Sequence, residues 1–266
     1  MKPQYSNRIK RYICKKSLRY FIHFAYNGQP YHGWQIQPNA HSVQQELETA
    51  LGTLLQESLP LTAAGRTDTG VHASHMVAHF DYSKPLPENL PFLLNQYLPP
   101  SLAIDKIHLV PENAHARFDA RSRTYQYHIS RVKNPFQYPY HYFLKGSLDV
   151  DRMNKAAATL LDYNDFECFS KVHTDVKTFL CKIESAHWES QGNELIFTIQ
   201  ADRFLRNMVR AIVGTLIEIG QGKRTLESLH HTIASKNRSE AGYSVPAHAL
   251  FLVHIDYHST HLENNG

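Results

Sequence analysis

Two hydrophobic periods alternate along this chain. Residues 18–26, LRYFIHFAY, are rich in β-formers and partly alternate, which predicts a strand. Asn27-Gly28-Gln29-Pro30 then signals a loop. Ser42, with Gln45 three positions on, fits a capping box, and Val43, Leu47, Ala50, Leu51, Leu54 and Leu55 recur behind it at helical spacing. An apolar run at 59–64 is long enough for a short buried strand, and 73–82 reads as another. Pro85 and Pro87 open a helix over 88–97, and 102–110 returns to strand. The order strand, helix, strand, strand, helix, strand is that of a split βαβ unit.

The second half repeats this order more loosely. Residues 121–131 alternate as a strand, and an acid-capped helix covers 149–161 through Met153, Ala156, Ala157 and Leu160. Strands at 178–189 and 194–201 flank the hairpin turn Gln191-Gly192-Asn193. Leu205, Met208, Val209, Ile212, Val213, Leu216 and Ile217 form the stripe of a long helix over 202–220, with Arg203, Arg206, Arg210 and Gly214 near one other face. A helix at 226–234 and a strand at 246–257 close the pattern. The expected fold is α+β: two ferredoxin-like halves with mixed or antiparallel sheets, joined around a central cleft, helices outermost. The halves span 18–112 and 113–258, between a basic arm at 1–17 and a polar tail at 259–266.

With 266 residues, 42% hydrophobic and 20% charged, the chain can bury a substantial core as one large domain or two medium ones. No apolar run approaches the roughly 20 residues of a membrane span, and the basic start has no apolar centre of a secretory signal. Cys14, Cys168 and Cys181 are scattered, which suggests a reducing, cytoplasmic setting. Net charge is only +4, yet no acid precedes Glu46 while cations recur from Lys2 to Arg19. Such an arm adds sequence-independent phosphate affinity. His72, His75 and His79 invite a metal reading, but no thiol or acid accompanies them and no metal is expected. Dinucleotide and phosphate-loop fingerprints are missing, so no cofactor is expected either.

The most informative stretch is GRTDTGVHA, residues 65–73: glycines bracket a turn with Asp68 at its apex and Arg66 two residues before it. Asp68 reads either as a turn aspartate bonding its own backbone or as a catalytic carboxylate on a rigid frame. In YHGWQIQ, Trp34 and Gln35 suit stacking on and hydrogen-bonding to a nucleotide, though Trp34 equally suits a core plug. In FDARSRTYQYHISRVK, period two places Arg121, Arg123, Tyr125, Tyr127, Ile129 and Arg131 on one face. Arginines beside aromatics there make a stacking and phosphate-binding surface.

GRTDTGVHA resembles the active-site motif of the tRNA pseudouridine synthase A family. YHGWQIQ resembles that family's YxGWQxQ signature, with Asn27 and Gln29 where the preceding pattern has Asp and Thr. HARF followed by Arg-x-Tyr-x-Tyr, and RNMVRAIVGTL, resemble its second and third motifs, and Ala249 stands where a glycine is usual. The resemblance runs over about residues 18–257. It implies Asp68 as the catalytic residue, acting as nucleophile at C1′ or base at C2′ of the ribose. It implies Tyr125 stacked on the target uracil and able to assist proton removal from C5, and Arg210 salt-bridged to Asp68. Arg66 would contact phosphate or fill the gap left by a flipped base; Arg121, Arg123, Arg206, Trp34 and Gln35 would contact RNA. The substrate implied is tRNA, at uridines 38–40 of the anticodon stem-loop, bound by a homodimer without metal or cofactor. The rival readings are a non-catalytic RNA-binding protein and, from Asp68-Thr69-Gly70, half of an aspartic protease.

Overall fold

Runs rich in aromatic and β-branched residues build β1 (Leu18–Tyr26), β3 (His72–Tyr82) and β4 (Leu102–Val110), with a two-residue β2 (Thr62–Ala63) between the first pair; β1 and β3 are buried on both faces through their middles. The structure is a computed structural model that describes residues 17–172 and 176–257. The basic arm through residue 16, with Cys14, and the polar tail lie outside the described residues. Neighbours in the order β4-β1-β3-β2 are all antiparallel, connected through α1 (Val43–Leu55) and α2 (Leu90–Tyr97). Ser42 Oγ caps α1 by accepting from Gln45 N at 3.3 Å, as the capping pattern requires.

A second unit repeats the arrangement. Its strands are β5 (Ala120–Ser130), β7 (Ile183–Gln191), β8 (Glu194–Ala201) and β9 (Leu250–Tyr257), with a short β6 (Tyr142–Phe143) beside the end of β5. Helices α3 (Val150–Thr159), α4 (Met208–Gly220) and α5 (Leu226–Ser235) lie between them. The order β9-β5-β8-β7 is the same antiparallel pattern. The α+β class and paired halves therefore hold, and the halves share one continuous sheet. The join is parallel: His72 and Ala73 of β3 face Phe251 and Leu252 of β9. It exists because β2 is so short, covering only Ala78 and His79 on that edge of β3.

The expected strand at 59–64 is cut short by α1 itself. Glu48 Oε1 accepts from Leu61 N at 2.8 Å, and Gln44 Nε2 donates to Leu61 O at 3.1 Å, so side chains satisfy backbone that a ladder would otherwise pair. The strand expected from 178 begins only at Ile183, because the preceding backbone bonds elsewhere: Cys181 N to Asn164 O and Lys182 N to Asp202 Oδ1. The last strand begins at Leu250, after a 3-10 turn over Ala247–Ala249.

The helix expected from 202 begins at Met208. Asn207 adopts φ 68°, a left-handed conformation that asparagine tolerates, and this breaks the helix from the residues before it. Arg203 and Arg206 therefore precede the helix and are not on one of its faces. From Met208 onward α4 is buried on nearly every side, the state expected of a helix apolar all round. Among the described residues no helix is long and apolar enough to cross a membrane.

Candidate active site

The turn bearing Asp68 is held from beneath. Val71 N donates to Asp68 O at 3.1 Å, closing the turn, and Gly70 sits at φ 78°, where a side chain would strain the backbone. Gly65 has an ordinary φ and open space around it, so only one of the bracketing glycines is demanded by backbone conformation. Thr67 is buried, its hydroxyl 2.8 Å from that of Tyr26.

The aromatic loop of the first half is a support for this turn. Gly33, at φ 88°, lies so close that a Cβ there would fall 2.5 Å from Thr67 O and 3.2 Å from the carbonyl carbon of Asp68. Trp34 N donates to Thr67 O at 3.2 Å, while the Trp34 ring is 3% exposed and packs on Phe24. Trp34 is thus a core plug rather than an RNA contact; Gln35 beside it is exposed. His72 ties the far end of the turn to both halves. Its Nδ1 accepts from Gly28 N at 3.0 Å, so Nε2 carries the proton and donates to His248 O at 2.9 Å. Burial lowers its pKa and keeps the ring neutral, the state in which both bonds exist. His75 lies 3.2 Å from His23, and His79 accepts from Ala116 N, so the three histidines of the metal reading have separate partners.

The second half brings two guanidiniums to Asp68. Arg210 Nη1 stands 3.7 Å from Asp68 Oδ2, and Arg206 Nε 3.6 Å from Oδ1. These are ion pairs longer than hydrogen bonds, around a carboxylate about a quarter exposed. Arg210 is anchored by donating its Nε–H to Val245 O at 2.7 Å, while Val245 N donates back to Arg210 O at 3.2 Å. The strap carrying Val245 can lie this close because Gly214 of α4 has no side chain: a Cβ there would sit 1.8 Å from Tyr243 O.

Tyr125 of β5 is buried and meets Phe204 edge-to-face, ring centroids 5.1 Å apart. Its phenol pKa is raised, first by burial and then by the negative charge of Asp68. The aspartate and the arginine near the start of α4 form one group, and Tyr125 lies near enough for the Asp68 charge to act on its phenol.

Only Arg121 leaves the expected common face; Arg123 keeps it with Tyr125, Tyr127 and Ile129, and that face is buried. The register of β5 against β9 slips between Ala120 and Ser122, a bulge that re-aims the side chains around it. Arg121 points outward, 3.7 Å from Asp256. Arg123 is 9% exposed, and its two terminal nitrogens donate to the carbonyls of Ala120, Asp202, Ala64 and Arg117 at 2.6–2.9 Å. All of that donor capacity serves the fold, which corrects the expectation that Arg123 faces RNA. Arg66 is exposed on the Asp68 turn.

A cleft of about 530 Å³ opens over this group, lined by Asp68, Thr69, Lys171, Val172, Arg206, Asn207, Arg210, Arg238 and Ser244. Sequence reading missed Lys171, Arg238 and Ser244: Lys171 and Ser244 stand in loops, Arg238 opens a 3-10 turn, and none carries a periodic signal. Arg238 is aimed by donating to Ser244 Oγ at 2.8 Å, which also accepts from Asn207 Nδ2 at 2.7 Å. One carboxylate among four cations leaves the cleft positive, the sign that attracts a phosphodiester chain.

Residues 22–119 and 156–258 match the family model described as tRNA pseudouridine synthase. The chain belongs to that family. Relatives named tRNA pseudouridine synthase A include one from Parabacteroides distasonis, 53% identical over 242 residues that cover 90% of this chain and 96% of the relative. Another, from Bacteroides thetaiotaomicron, is 53% identical and covers 90% of each chain. One from Halalkalibacterium halodurans is 40% identical over 91% of this chain and 93% of its own length. Asp68, Arg206 and Arg210 fall within the matched family segments, and Tyr125 lies between them.

Proposed function

We propose that this chain isomerises uridine to pseudouridine at positions 38–40 of the tRNA anticodon stem-loop, with Asp68 as the reacting carboxylate. The observation that carries the reading is Asp68 held between Arg206 and Arg210, at 3.6 and 3.7 Å, on the wall of a basic cleft. The reaction breaks the C1′–N1 bond, turns the freed uracil and joins its C5 to C1′; the C5 proton leaves and N1 gains one, with no net oxidation. A target inside a helical stem has to leave its stack first.

Asp68 acts at the ribose, attacking C1′ or removing the C2′ proton. Arg210, fixed through Val245, keeps the carboxylate aimed. Lys171, Arg206 and Arg238 hold backbone phosphates at the mouth. Tyr125 stacks on the uracil. Burial and the Asp68 charge raise its phenol pKa, and against the uracil the hydroxyl is placed to assist removal of the C5 proton. Exposed Arg66 and Gln35 flank the target nucleotide, and Arg121 extends the contact along the duplex. The protein acts in the cytoplasm as a homodimer with one tRNA spanning both subunits.

The protease alternative requires a second carboxylate beside the first, whereas Asp68 is flanked by guanidiniums. A purely RNA-binding role is separated by product. Incubation with unmodified tRNA, followed by chemical mapping of pseudouridine, should give product at 38–40 for the wild type and none for Asp68→Ala, with tRNA affinity within a few-fold. Near-normal turnover by Asp68→Ala would remove the mechanism.

A further inference from the structure

Outside the Asp68 cleft, His128, His141 and Glu194 each offer one donor atom within 4.8 Å of the others. We propose that this trio is a zinc site that clips the 131–143 connection onto the sheet of the second half. The three residues come from different segments. Ser130 of β5 pairs with Glu194 of β8, so His128, two residues back, is the diagonal neighbour of Glu194 on one sheet face. His141 enters from the connection between β5 and β6, its ring edge-to-face with that of His128 at 5.2 Å.

The hydrogen bonding around the trio is that of a metal site's surroundings. His141 Nδ1 donates to Gln137 O at 3.2 Å, which turns Nε2 toward Glu194. That nitrogen is buried without a hydrogen-bond partner among the described residues, although Glu194 Oε2 lies only 3.2 Å away. At that distance a positive centre, a metal ion or the proton of a charged imidazole, has to lie between the nitrogen and the carboxylate. Glu194 is itself oriented, because Gln137 Nε2 donates to its other oxygen. A ligating histidine that gives its second N–H to a backbone carbonyl, and a ligating carboxylate that is hydrogen-bonded in turn, are the usual supports of protein zinc.

Two imidazoles and one carboxylate match zinc's preferred donors, and three protein ligands leave a fourth position for water. Tetrahedral zinc with bonds of about 2.0–2.1 Å needs donors roughly 3.4 Å apart, so side-chain rotation of about an ångström closes the group. Room for the water exists in an adjoining cavity of about 290 Å³, lined by His141, Ser130, Tyr138 and Phe143 among others.

The location suits a clip. The 131–143 connection reaches into the first half, where Asn27 Nδ2 donates to Tyr140 Oη at 3.2 Å and Gln29 Nε2 to Pro139 O at 3.0 Å. His248 Nε2 donates to His141 O at 3.2 Å, and the His248 carbonyl is the one that receives His72. Zinc on His141 therefore braces the segment that steadies the Asp68 turn without touching the reacting atoms.

The test is a competition titration of untagged, chelator-treated full-length protein with Zn²⁺ against a chromophoric chelator, with thermal melts in parallel. One tight site per chain is expected, with a higher melting temperature once it is filled. Glu194→Gln keeps the Gln137 bond and should weaken binding at least tenfold; His128→Phe should abolish the thermal shift. Co²⁺ in the wild type should show the visible bands of a four-coordinate nitrogen–oxygen site. His187→Ala, at a surface histidine beside Glu189, is the control that should change nothing. Unchanged zinc stoichiometry in both site variants, which would assign the metal to other histidines, overturns the proposal. So does the absence of tight binding, which would leave a proton in place of the metal.

Discussion

Gly33→Ala tests whether the aromatic loop exists to position Asp68. The added Cβ would stand 2.5 Å from Thr67 O, 3.2 Å from Asp68 C and 3.3 Å from Thr69 N, on a residue at φ 88°. Ordinary contact begins near 3.4 Å, so the loop and turn must part by roughly 0.9 Å, more than a packed interior absorbs without rearrangement. The left-handed backbone adds about 1–3 kcal/mol of strain, which lowers the melting temperature by roughly 2–4 °C per kcal/mol in a chain of this size. A displacement of about 1 Å at a reacting group can cost on the order of 100-fold in rate. Single-turnover conversion of unmodified tRNA should therefore fall by roughly 10- to 100-fold, while affinity, carried by cations elsewhere in the cleft, changes little. The readout is pseudouridine formed against time at saturating enzyme, with a filter-binding Kd alongside. A rate within twofold of wild type in a folded Gly33→Ala protein would refute the reasoning, since it would mean that the turn need not sit where this contact holds it.

Tyr125→Phe keeps the ring against Phe204 and loses only the hydroxyl; single-turnover rate should fall more than about tenfold, a smaller fall would leave the phenol a platform alone, and Tyr125→Ala should lose at least 100-fold. Arg123→Met strips donors from four carbonyls at once and should cost about 2–4 kcal/mol in urea unfolding, with slower activity only in proportion to the folded fraction. Acid should weaken the fold in a defined window. His79 has its pKa lowered to about 4, by burial first and then by Arg19 and His115, against the opposing pull of Asp81 and Asp119. An unfolded histidine protonates near 6.5, so between those values the unfolded state binds more protons and stability falls as pH drops, by up to about 1.4 kcal/mol per pH unit for such a group. Melting temperatures from pH 7 to pH 4.5 should show the decline, and His79→Gln, which can still accept from Ala116 N, should lessen it, with His23 and His128 supplying the remainder; an unchanged slope would assign the decline to other groups.

Local order was legible in the residues themselves. A serine three positions ahead of Gln45 caps α1 as its side chain dictates, and the β-formers of 18–26 mark β1, because capping and residue preference are properties of a short backbone segment. The turn at Asp68 and the arginine of α4 could be matched to a family motif, yet nothing local states that residues 142 positions apart come within 4 Å. Folding alone decided that β2 would stop after two residues, that β9 would take the vacated edge of β3, and that Arg123 would turn inward to bind carbonyls. It also gathered Lys171, Arg238 and Ser244 from unpatterned loops around the carboxylate. A hydrophobic period specifies which face of an element is buried. What that face meets depends on long-range pairing, where side chains such as Glu48 compete with the backbone for the same hydrogen bonds and only the whole chain sets the outcome.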